Sequence, residues 1–178
     1  MKQAKHGVGR REPRLPASPR RIVPRQTDPY ASRRTIAGPA VCQTCHAIFE
    51  KKRWRFDESV YKDLMAAKRT KLITCPACSK IRDRYPEGVL TLRWTGLSEH
   101  KRDVLGLLRK EEARAKKVNP LERIMKIEEA GDEWRVLITN TKLAQRLGRE
   151  LERAYHGETS YHWAHRDKLV NVVWEREA

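Results

Sequence analysis

Residues 42–54 read CQTCHAIFEKKRW, and residues 74–88 read TCPACSKIRDRYPEG. Each stretch carries a C-x-x-C pair, and 29 residues lie between Cys45 and Cys75. Two such knuckles can each present two thiolates from one tight turn, the arrangement that tetrahedral zinc takes with four sulfurs. Cys42, Cys45, Cys75 and Cys78 are therefore read as ligands of a structural Zn2+ in a small zinc-ribbon module. Four protein ligands leave no vacant position for substrate or activated water, so the site is expected to fold the chain rather than to react. Metal binding then supplies folding energy to a segment with little core of its own. A redox pair is the weaker reading, because that chemistry needs one C-x-x-C beside a βαβ pattern and here the motif is doubled.

Working outward from the knuckles, residues 57–71 hold Val60, Leu64 and Ala67 at helical spacing, with Asp57 or Ser59 as a cap. His46 and Ser79 follow the second cysteine of each knuckle, where glycine is common because the backbone takes a positive φ. His46 is read as a surface histidine, not a ligand. Lys51, Lys52, Arg53 and Arg55 surround Trp54, and Lys80, Arg82 and Arg84 follow the second knuckle. Basic side chains interleaved with aromatics on a rigid platform suit phosphate contact and base stacking, so these residues are candidate nucleic-acid contacts. At least one of Trp54, Phe56 and Tyr85 is expected to pack over the metal module instead.

Charge points the same way. The 178 residues carry 39 Lys and Arg against 23 Asp and Glu, a formal +16. Such a surface draws polyanions, above all nucleic acid. Residues 1–40 hold ten basic and two acidic residues, hence +8, and six of the nine prolines. With few apolar groups to bury, this zone is expected to be a disordered basic arm. Arg20, Arg21, Arg33 and Arg34 are its candidate phosphate contacts. No apolar run is long enough to cross a bilayer, and no apolar h-region follows the positive N-terminus. A reducing, cytoplasmic setting is expected, where paired cysteines favour metal over disulfides.

Beyond residue 87 the patterning changes. Residues 88–94 read as a strand, Ser98 as the cap of a helix running to about residue 117, and Asn119, Pro120 and Glu122 as the start of a second helix ended by Gly131. Trp134, Val136 and Ile138 alternate as a strand, and Leu143, Leu147, Leu151 and Ala154 form a helical stripe from Asn140 or Thr141 to Gly157. Residues 158–175 read as a hairpin turning at 165–167. The expected fold is α+β: a zinc-ribbon module over 41–87, then an α/β sandwich over 88–178 with helices on one face of a sheet. No nucleophile with an adjacent base is found, the carboxylates sit in mixed-charge helical runs such as RKEEARAKK (109–117) that read as solvated faces, and no small-molecule site is read. An enzyme is not expected.

The run CPACSKIRDRYPEGVLTLR, residues 75–93, resembles a segment of the large-ribosomal-subunit export adaptor family (nonsense-mediated-decay protein three). The later order also resembles that family's zinc-binding core: strand, the Leu143–Ala144–Leu147–Leu151 helix, Gly157 and a final strand. Bacterial relatives of that core, with a basic tail and two C-x-x-C pairs, are the most similar. The resemblance covers residues 41–177 and implies binding of ribosomal RNA or the large subunit, in assembly or dormancy. The alternative from the residues themselves is a DNA-binding transcriptional regulator built on the same module.

Overall fold

The alternating apolar residues of the second half of the chain meet in one sheet. The structure, a computed structural model, describes residues 30, 36, 38–67, 70–164 and 168–177. Among these residues there are two sheets and four α-helices. The architecture is the expected α+β one, with helices on one face of the larger sheet.

The smaller sheet contains β1 (Ala40–Cys42), β2 (Ile48–Glu50), β3 (Arg53–Arg55) and β4 (Lys71–Ile73), in the order β3-β2-β1-β4. β1, β2 and β3 form an antiparallel meander, while β4 lies parallel to β1. A parallel neighbour needs a crossover, and α1 (Glu58–Ala66) supplies it. The Asp57 side chain accepts a hydrogen bond from the Val60 amide and caps α1 as the sequence predicts. The second knuckle opens α2 (Pro76–Arg82), with Cys75 at the N-cap and Pro76 in the first turn.

The larger sheet contains β5 (Gly88–Arg93), β6 (Ile124–Ala130), β7 (Glu133–Ile138), β8 (Glu158–Trp163) and β9 (Val170–Glu175), in the order β6-β7-β5-β9-β8. β5 and β9 run parallel, and the other neighbours are antiparallel. Register stacks Val136, Leu90 and Val172 in one row and Trp134, Leu92 and Trp174 in the next. These side chains are buried under α3 (Lys101–Val118) and α4 (Thr141–Tyr155), against Val104, Leu108, Leu143, Leu147 and Leu151. The third row has Gly88 between Ile138 and Val170. A β-carbon there would come within 2.6 Å of the Ala144 β-carbon, so glycine sets how closely α4 packs on β5.

Three expectations change. The segment expected to be a second helix is the strand β6. A bulge between Ile124 and Lys126 inserts Met125, so Ile124 and Ile127 pair with Ile138 and Val136 and face the same core. A bulge thus gives a strand the three-residue spacing of a helix. Asn119 accepts from the Leu121 amide within a turn rather than capping a helix, and Gly131 sits in the β6–β7 turn. The helix expected from Ser98 begins instead at Lys101, because a 3-10 turn at Thr95–Leu97 first buries Leu97. Nor is the charged run of α3 wholly solvated: Glu111 is buried and pairs with Arg114, and Glu112 accepts from the Ile124 amide. The expected turn at 165–167 and nearly all of the basic arm lie outside the described residues.

Candidate metal centre and its basic rim

The four cysteine sulfurs all lie within 4.8 Å of one another. Cys45 Sγ and Cys75 Sγ are 3.7 Å apart. A tetrahedron with metal–sulfur bonds of about 2.3 Å has edges of about 3.8 Å, so this separation matches a shared metal. It is far from the roughly 2.05 Å of a disulfide. The four residues are free thiols, and Cys42, Cys75 and Cys78 are buried.

Backbone geometry explains how the knuckles form. In the first, the His46 amide donates to the Cys42 carbonyl at 2.9 Å, and His46 takes φ 62°, the positive value expected for its position. Its ring stacks on Tyr61, 4.9 Å between centroids, rather than joining the sulfurs. The second knuckle needs no positive φ, because Ser79 lies inside α2 and its amide donates to the Cys75 carbonyl. The Cys75 amide points at Cys42 Sγ (3.3 Å) and the Cys78 amide at Cys75 Sγ (3.4 Å). Amides aimed at sulfur stabilise thiolate, the form that a metal needs.

One residue of the centre gives no motif signal. Arg123, in the turn before β6, donates Nη2 to Cys45 Sγ at 2.9 Å and Nη1 to Cys78 Sγ at 3.4 Å. Its Nε donates to the Pro120 carbonyl at 2.7 Å, which fixes the fork. Thr139 pins this turn, since its hydroxyl donates to the Leu121 carbonyl and also accepts the Arg123 amide. A hydrogen bond from Cys75, joined by Arg123, holds the Cys45 thiol down at about 4 against the opposing effect of burial. Cys75 is pushed up by its bond to Cys45 and by burial, and burial pushes Cys78 up to about 11. The crowding of Cys45, Cys75 and Cys78 thus shifts their thiols in opposite directions, which a divalent cation would relieve by binding them as thiolates. Burial alone would lower the Arg123 guanidinium, yet the bond to Cys45 and the nearby sulfur charge raise it.

The rim divides into three groups. Lys51, Lys52 and Arg53 are exposed on the β2–β3 hairpin, and Trp54 is half-buried, packed against the cysteine cluster and Phe49. Trp54 therefore fills the packing role expected of one aromatic. Arg55 is engaged with Glu50 (2.6 Å) and Asp57 (3.2 Å), and Arg82 with Asp83, whose carboxyl it holds below the usual range. Arg84 is exposed at φ 52°. Lys80 departs from the expected set of surface contacts. It is buried, with Nζ 2.7 Å from Glu87 and 3.4 Å from the Thr139 carbonyl, and so ties α2 to the larger sheet. Its place in the last turn of α2, with the side chain buried, takes it off the exposed rim. Arg20, Arg21, Arg33 and Arg34 lie outside the described residues.

No family model, curated protein or solved structure matches this chain. Among the described residues, no helix is long and apolar enough to cross a membrane.

Proposed function

We propose that this chain is a cytoplasmic zinc-binding protein that associates with RNA, contacting ribosomal RNA or the large ribosomal subunit in assembly or dormancy. One observation carries the reading: four sulfurs at metal-binding separation anchor the hairpin that bears Lys51, Lys52 and Trp54. Zinc is favoured among metals because four thiolates in a tetrahedral cage suit it, and such a closed site is structural. Cys42, Cys45, Cys75 and Cys78 would hold the ion, and Arg123 would offset part of the negative charge of a four-thiolate centre. The role is binding rather than catalysis, since that cage leaves no position for water.

The likeness of residues 75–93 to the ribosomal export adaptor family supports the large subunit as the partner, and the net charge of +16 supports a polyanion. Co-sedimentation of the purified protein with ribosomal subunits, repeated over a salt series, tests the proposal. Binding that weakens steeply with salt and follows the large subunit is expected. No sedimentation with any ribosomal particle at low salt would overturn it, and tighter binding to a particular duplex DNA would favour a transcriptional regulator.

A further inference from the structure

The geometry points to a specific site on the rim: the cleft beside the β2–β3 hairpin binds an unpaired segment of RNA. A base would lie against Trp54 and Phe49, and the flanking phosphates would lie on Lys51, Lys52 and Lys71. This inference rests on the RNA-binding reading above and narrows it to single strands.

The cleft has a volume of about 1020 Å³ and is lined by these five residues together with Thr74, among others. That is room for a nucleotide and its neighbours. Phe49 and Trp54 are cross-strand partners with ring centroids 5.3 Å apart and planes at 54°, so they give the cleft an aromatic wall. Thr74 and Gln43 are hydrogen-bonded to each other at 3.0 Å beside it, which leaves a polar edge. The charge is complementary to phosphate. The carboxylate in the lining, Glu50, is neutralised by Arg55 at 2.6 Å, whereas Lys51, Lys52 and Lys71 contribute three positive charges.

The hairpin turn supplies a second, independent observation. Glu50 pairs with Arg53, so Lys51 and Lys52 are the two turn residues, at φ 50° and 64°. Two consecutive left-handed residues are the place for Asn-Gly, and lysine is strained there by its β-carbon. The chain keeps two lysines at the mouth of an aromatic cleft at the expense of turn stability, and retained strain of this kind marks functional sites. A duplex does not fit this arrangement, because its bases are stacked on one another and cannot enter a concave aromatic site. Stacking plus phosphate contact is the way proteins hold single strands.

The test uses the full zinc-loaded chain and fluorescence anisotropy with a short labelled RNA, the same RNA annealed to its complement, and duplex DNA of equal length. The single strand is expected to bind at least about tenfold more tightly than either duplex. The double substitution Lys51→Asn, Lys52→Gly should raise the melting temperature while weakening single-strand binding about tenfold. A control that removes two charges from α3 away from the cleft, Lys110→Gln with Lys117→Gln, should weaken binding by no more than about twofold to threefold. Lys71→Gln should reproduce part of the loss with unchanged zinc content. If the turn variant binds as tightly as the parent, or no more weakly than the α3 control, the cleft assignment fails while RNA binding itself stands. Tighter binding of either duplex overturns the single-strand inference. Absence of RNA binding at low salt overturns both the inference and the proposed function.

Discussion

Arg123 reaches Cys45 across 78 positions of sequence, and no local pattern announces it. The cysteines were legible because their chemistry depends on spacing within a turn, which the chain writes out directly. Arg123 was not legible because its role depends on how the turn at 119–123 docks, and that is decided by Thr139 at the end of β7. Lys80 shows the same limit: beside a knuckle it reads as a rim charge, yet it is buried against Glu87. Replacing Cys45 or Cys75 by Ser removes a sulfur from the cage, so native mass spectrometry should find the proposed zinc in the parent and none in either variant. Arg123→Ala leaves sulfur charge without its donor and should cost about 2–3 kcal/mol. For a chain of this size that is a fall of roughly 5–10 °C in the melting temperature of the zinc-loaded protein. Arg123→Lys, which keeps the charge but loses the two-pronged fork, should recover only part of the loss.

Among the elements, α4 and β7 are faithful to their patterns. The Asn140 side chain accepts from the Leu143 amide, and Leu143, Leu147 and Leu151 are buried in the expected stripe, though Ala154 at its end is exposed. β6 is the instructive departure, because one bulged residue turned a strand's apolar spacing into a helix's. Partner strands settle such a case, and a lone segment does not display its partners. Gly88 shows what packing adds to pattern: as one residue of a strand it is unremarked, yet it sets the distance between α4 and the sheet. Gly88→Ala should cost about 1–3 kcal/mol through the contact with Ala144. Asn140→Ala should cost about 1 kcal/mol through the lost cap. Both are measured by denaturant unfolding, and both variants should keep their zinc, because neither residue touches a cysteine.

For the whole molecule, the charge of +16 makes some attraction to any polyanion unavoidable, so affinity alone does not separate a specific site from a sticky surface. A metal held by the four cysteines, as proposed, would separate them. With the ion bound, the cage would fix the knuckles from which the Lys51–Lys52 hairpin extends, and Arg123, bonded to Cys45 and Cys78, ties it to the turn leading into the larger sheet. If function lies in that fixed rim, losing the metal should remove binding although every charge remains. The decisive measurement is therefore RNA affinity at fixed salt for the zinc-loaded chain, for the chain stripped by a chelator under reducing conditions, and for the stripped chain after zinc is restored. One zinc per chain, a loss of at least about tenfold on stripping, and recovery on reloading are expected. Stripped protein that binds RNA as tightly as the loaded form would contradict this role for the metal.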